Sequence, residues 1–152
     1  MHELILMRHA EALPAAIDAE DFARPLTEAG RAAAARAATA LAGGHAVDRL
    51  LYSPARRTTE TALIVADVLE LGPARMRAVP EMYLATPQRL RAAIAQWHDG
   101  ARVLLLIGHN PSVSELGAQL APAHRHAHLQ TAGYWRLPLD AAAWRTLAHP
   151  QH

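Results

Sequence analysis

Two runs of aliphatic residues in this chain stop abruptly short of a histidine, and that pattern narrows the fold more than any other feature. Leu4, Ile5, Leu6 and Met7 continue without a polar break into Arg8 and His9. Val103 to Ile107 form a second unbroken aliphatic run, and Gly108, His109 and Asn110 come directly after it. Runs this short and continuously apolar fit strands buried on both faces, as in a parallel sheet covered by helices. Arg-His and Gly-His-Asn then stand where each strand reaches the rim of the sheet.

The segments between these runs carry helical patterns. "LTEAGRAAAARAATALAGG" offers Thr27 as an N-cap and Gly43-Gly44 as a stop. "DRLLYS" is another short apolar run. "SPARRTTETALIVADVLEL" places Pro54 in a first helical turn and Ala62, Val65, Ala66 and Leu69 on one face. "MRAVPEMY" reads as a short strand, and "TPQRLRAAIAQW" as a helix capped by Thr86, with Leu90, Ala93, Ile94 and Trp97 inward. In "PSVSELGAQL", Val113, Leu116, Gly117 and Leu120 share a helical face, and "GYWRLPL" is a last strand. Strands alternating with helices predict a three-layer α/β/α fold with a mostly parallel central sheet. The strands near 3–8, 49–52 and 103–107 are expected side by side at its centre. No repeat, linker or shift in composition divides residues 1–152, so one domain is expected.

Composition removes several classes of function. No cysteine is present, which excludes disulfides and thiolate catalysis. All 15 basic residues are arginines, so Schiff-base chemistry and a phosphate-loop lysine are also excluded. A formal net charge of +1 lacks the excess of positive charge that a nucleic-acid footprint needs. No apolar run reaches the roughly 18 residues of a transmembrane helix, and the N-terminus has no signal-peptide pattern. A cytoplasmic monomer without nucleic-acid or membrane partners is expected.

Ligands of open α/β sheets bind beyond the carboxyl ends of the strands. There the sequence places Arg8-His9, Ser53-Pro54 with Arg56 and Arg57 close behind, and Gly108-His109. Two histidines and at least one arginine would gather beside helix N-termini, whose free amides and positive dipole ends favour anions. Arginine is also well matched to bidentate phosphate contacts. The histidines alone would suit a metal, but zinc usually takes three or more ligands and the arginines would repel a cation. No metal and no organic cofactor are therefore expected. The "HRHAH" segment, with His124, His126 and His128, reads as a solvated loop with adventitious metal affinity at most.

Met7-Arg8-His9-Ala10-Glu11, "RPLTEAG" at 24–30, "SPARRTTETA" at 53–62 and "GHNPSVSEL" at 108–116 occur in an order and spacing that resembles the histidine phosphatase superfamily, or phosphoglycerate-mutase-like family. Within it, the chain looks most like the small SixA-type phosphohistidine phosphatases. The resemblance implies that His9 is the nucleophile that becomes phosphorylated. It implies that Arg8, Arg57 and His109 bind and polarise the phosphoryl oxygens. Arg57, four residues before Thr61, fits the family pattern, whereas Arg56 would point elsewhere. Ala10 departs from the glycine found there in many members. The superfamily often carries a general acid near Glu81, which makes Glu81 a catalytic candidate. Arg24 is a candidate substrate contact, with a salt bridge or a solvated side chain as the plainer readings.

These roles are chemically consistent. A histidine nucleophile must be neutral, with one ring nitrogen free and the other donating to a carbonyl. Two arginines and a second histidine can neutralise a phosphoryl group without Mg²⁺. The expected function is a metal-independent phosphatase that acts through a phosphohistidine intermediate, on phosphohistidine of a protein partner. A broad-specificity phosphomonoesterase is the alternative, and a non-catalytic phosphoprotein-binding module is the alternative of a different class. A mutase would need larger insertions around the site, and a response-regulator receiver would need acidic residues and a lysine.

Overall fold

The computed structural model describes residues 1–17 and 19–151. Five strands, β1 (His2–Arg8), β2 (Arg49–Tyr52), β3 (Met76–Ala78), β4 (Val103–Gly108) and β5 (Tyr134–Leu139), form one sheet in the order β3-β2-β4-β1-β5. β1, β4, β2 and β3 run parallel, and β5 pairs antiparallel with β1 at the edge. The three strands expected at the centre are neighbours, in the order β2-β4-β1. The sheet is thus mostly parallel, in a three-layer α/β/α arrangement.

Alternation along the strands assigns side chains to two cores. Leu4, Leu6, Leu51, Leu104 and Leu106 face one side and pack with α3 (Pro87–Trp97), α4 (Ser112–Leu120) and α5 (Ala141–Ala148). Ile5, Met7, Leu50, Leu105 and Ile107 face the other side, against α1 (Glu28–Ala42) and α2 (Arg56–Leu69). With both faces covered, polar residues have no place in the strand interiors. This is why β4 is apolar throughout. Each fully buried leucine contributes about 1.5–3 kcal/mol.

Caps set most helix starts. The Thr27 hydroxyl accepts from the Gly30 amide at 2.8 Å, and that of Thr86 from the Arg89 amide at 3.2 Å. α1 lies close to the chain leaving β1: a Cβ on Gly30 would stand 2.2 Å from the Glu11 carbonyl oxygen. Two details differ from the sequence expectation. Pro54 precedes α2 rather than sitting in its first turn, because the helix begins only at Arg56 with Ala55 as N-cap. The chain also forms α5, which no sequence pattern above marks; the Asp140 side chain caps it, and it buries Trp144 and Leu147.

A cavity of about 400 Å³ lined by His2, Glu3, His45, Asp48 and Arg102 lies at the amino ends of β1 and β4. It is at the opposite end of the sheet from His9 and His109.

Candidate active site

The register of β1 on β4 pairs Arg8 with Gly108, so His9 and His109 emerge side by side. Their ring centroids are 5.4 Å apart. The His9 amide donates to the Gly108 carbonyl at 3.1 Å, which ties the two strand ends together. A Cβ on Gly108 would come within 2.8 Å of Val113 Cγ1, so glycine allows this close crossing.

The His9 ring is held from below. Its Nδ1 lies 2.7 Å from the Ala10 carbonyl oxygen, so Nδ1–H donates and Nε2 keeps its lone pair. The Ala10 amide in turn donates to Thr61 Oγ1 at 3.0 Å, and the Thr61 hydroxyl donates to the Arg57 carbonyl at 2.7 Å. Ala10 is fully buried, so a methyl group fits at the position where the family pattern often has glycine. His109 Nε2 lies 2.8 Å from the hydroxyl of Ser53, which directly follows β2 and is fully buried.

The helix separates the tandem arginines. The Arg57 side chain is 5% exposed and pairs with Asp21, while that of Arg56 is 56% exposed and pairs with Glu60. Arg8 reaches the Leu129 carbonyl through Nη1 at 3.3 Å. The structure therefore brings Arg8, His9, Arg57 and His109 together at the carboxyl edge of the sheet.

Glu81 is placed differently. It is exposed and lines a surface cavity with Arg89, Ala92, Ala93 and Gln96 of α3. The turn Pro80–Met82 buries Met82 and delivers Tyr83 to the site instead, with its ring edge-on to His109 at 5.7 Å. Glu81 thus stands beside α3, and it is the side chain two residues later that lies against His109. Arg24 forms the salt bridge, pairing with Asp21 at 3.1 Å, and its Nε donates to the Leu13 carbonyl. Asp21 and Tyr83 join the site without having been expected there, whereas Ser53 stands at the strand end where the sequence placed it. Ser53 is legible as the polar end of β2, but Asp21 sits in a loop without periodicity. His124 stacks on Trp135 with centroids 4.1 Å apart, while His126 and His128 are exposed. Among the described residues, no cluster of three or more His, Asp or Glu side chains is arranged to hold a metal.

Electrostatics favour neutral histidines. Burial, with help from Arg57 and Arg8, lowers His9 to about 4, against a smaller upward pull from its hydrogen bond to Ala10. Burial and the Arg57 charge lower His109 to about 3. Asp21 is held well below the usual carboxylate range, first by the Tyr83 hydroxyl and then by Arg24 and Arg57. Three buried side-chain nitrogens have no hydrogen-bond partner among the described residues: Arg8 Nε, Arg57 Nε and His109 Nδ1. Unpaired buried donors are rare and call for an explanation. Here all three belong to residues gathered at the same site.

Such an arrangement of neutral imidazole and confined positive charge defines an enzyme that handles phosphoryl groups. The family relationships agree. The chain belongs to the histidine phosphatase superfamily (branch 1), whose model matches residues 4–101, and it is a phosphatase. It is 32% identical over 142 residues to phosphohistidine phosphatase SixA of Escherichia coli (strain K12), covering 91% of this chain and 86% of that protein. A structure of protein histidine phosphatase SixA complexed with tungstate superposes with a TM-score of 0.80 at 29% identity, covering 93% of this chain and 90% of that one. A structure from Agrobacterium tumefaciens, assigned to the same phosphatase type, gives 0.79 at 25% identity over 89% and 90% of the two chains.

Proposed function

We propose that this phosphatase removes phosphate from phosphohistidine on a protein, through a phosphohistidine intermediate on His9 and without a bound metal. The three unpartnered nitrogens of Arg8, Arg57 and His109 around a neutral His9 carry this reading. In the first step His9 Nε2 attacks phosphorus. The bond from phosphorus to the substrate imidazole breaks, and its electron pair leaves with an imidazole that already holds a proton. Water then attacks the phosphoryl group on His9, releasing inorganic phosphate and restoring the neutral ring. Arg8 and Arg57 offset charge on the phosphoryl oxygens in both steps, and the neutral His109 ring offers them a hydrogen bond, the electrostatic work on which phosphoryl transfer mostly depends.

The leaving group is the second support. Asp21 stays ionised and Tyr83 is pushed up by its bond to Asp21, so neither is set to give up a proton readily at neutral pH. Glu81 faces α3. A site furnished in this way suits a substrate that brings its own proton, as phosphorylated imidazolium does. The SixA relatives are named for phosphohistidine, which fits the same substrate.

The test is turnover of a phosphohistidine-bearing phosphotransfer domain in EDTA, by wild type and His9→Ala. Wild type is expected to keep full activity and to yield a phosphoenzyme that survives alkali but not acid. His9→Ala is expected to show no turnover and no phosphoenzyme. Loss of activity in EDTA that zinc or magnesium restores would refute the metal-free mechanism.

A further inference from the structure

One residue occupies both terminal nitrogens of Arg57. Nη1 donates to the Asp21 carbonyl at 2.9 Å, and Nη2 donates to the Asp21 carboxylate Oδ2 at 3.0 Å. The same Oδ2 accepts from the Tyr83 hydroxyl at 2.7 Å, and Oδ1 accepts from Arg24 Nη1 at 3.1 Å. Tyr83 lies edge-on to Phe22 at 5.0 Å as well as to His109. The turn Asp21–Ala23 thus closes one side of the site and reaches the buried guanidinium through Asp21.

We propose that Asp21 is a positioning residue for Arg57: by holding both Nη groups it fixes the plane of the guanidinium and leaves its remaining N–H bonds to meet the phosphoryl group. This rests on the phosphoryl-binding role proposed for Arg57. A planar guanidinium held at two points of its fork cannot swing, so the directions of its free N–H bonds are set before substrate arrives. The arrangement also carries a cost. A carboxylate close to Arg57 opposes an incoming phosphoryl dianion, so Asp21 does not help ground-state binding. Its benefit falls on the transition state, where misplacement by about 1 Å can cost on the order of a hundredfold in rate.

That division gives a kinetic signature which a merely structural residue lacks. Asp21→Ala is expected to lower kcat by about 10- to 100-fold, while KM stays level or falls. Asp21→Asn keeps a carbonyl oxygen for Arg57 and Tyr83 and is expected to recover most of the lost kcat. Arg57→Ala alone should be severely impaired, and adding Asp21→Ala to it should cost little more, because the two act as one unit. The measurements are kcat and KM for these four variants with p-nitrophenyl phosphate and with a phosphohistidine-bearing protein. The proposal is overturned if Asp21→Ala leaves kcat within about twofold of wild type, if the Ala and Asn variants lose equally, or if the double variant shows additive losses. Should Asp21→Ala fail to fold, Asp21→Asn decides: kcat close to wild type with a lowered KM supports the proposal, and loss as deep as that of Arg57→Ala overturns it. Arg57→Ala with unimpaired kcat would instead overturn the reading of the pocket itself.

Discussion

His9 and His109 are held neutral by burial beside arginines, and the consequence extends from catalysis to stability. In the unfolded chain both titrate near 6.5; in the fold they titrate near 4 and 3. Between those values the unfolded state binds more protons than the native state, so stability rises with pH there. The contribution is therefore complete above 6.5 and drains away as pH falls toward 4 for His9 and toward 3 for His109. Urea midpoints measured from pH 7 down to pH 4.5 are expected to fall for wild type and to fall less steeply for His109→Asn. Parallel curves would contradict the burial argument. The strand-end histidines are legible from sequence because a continuous apolar run must surface somewhere, and the residues just after it mark the rim. Arg57 is separable from Arg56 through the family pattern, four residues before Thr61, and successive helical residues diverge by roughly 100°, which turns Arg56 away. Tyr83 escapes a sequence reading because a tight turn sets side-chain direction through backbone angles, which residue types alone do not reveal. Asp21 becomes visible only once the fold has brought its loop over α2.

At the scale of elements, α2 does more than cover the sheet. Its buried Thr61 links the tight turn after β1 to the first turn of the helix, accepting from the Ala10 amide and donating to the Arg57 carbonyl. Thr61→Val keeps the shape and loses both bonds, leaving a buried Ala10 N–H without a partner. The expected cost is about 1–3 kcal/mol in stability. A lower kcat should accompany it, because the turn that orients His9 is released. Thr61→Ser should restore both, and thermal melts with steady-state kinetics on the pair would check this. A Val variant as stable and active as wild type would show that the link does not matter. Elements with strong local signals are readable: β1, β2 and β4 from unbroken apolar runs, α1 and α3 from caps and periodicity. β3 is only three residues long, yet a β-branched residue and a proline just beyond it give it away. The unforeseen α5 is a short helix, half of it alanine, whose inward face is Trp144, Leu147 and Ala148. Its Asp140 cap is the available clue.

For the molecule as a whole, what matters is how the pocket meets its surroundings. The connection from β1 to α1 is the longest beside the site. It supplies Phe22, which packs on Tyr83, and it leaves Leu13 and Ile17 exposed. Leu84, next to Tyr83, is exposed as well. Apart from residues 9–27 between β1 and α1 and residues 121–133 between α4 and β5, the described elements succeed one another through short connections. A small metabolite is recognised by enclosure, with most of its surface buried in a shaped cavity. A phosphoryl group presented on a protein surface needs instead a reachable anion site with a broad, partly apolar border, and the exposed side chains here offer that. Phosphohistidine protein should therefore be hydrolysed readily, and sugar phosphates weakly and without selectivity. The comparison is kcat/KM across both substrate classes under the same conditions. If one sugar phosphate is preferred over the others and over phosphohistidine protein by more than about a hundredfold, on the order of 2.7 kcal/mol in transition-state binding, the site must enclose its substrate after all, and the open-border argument fails.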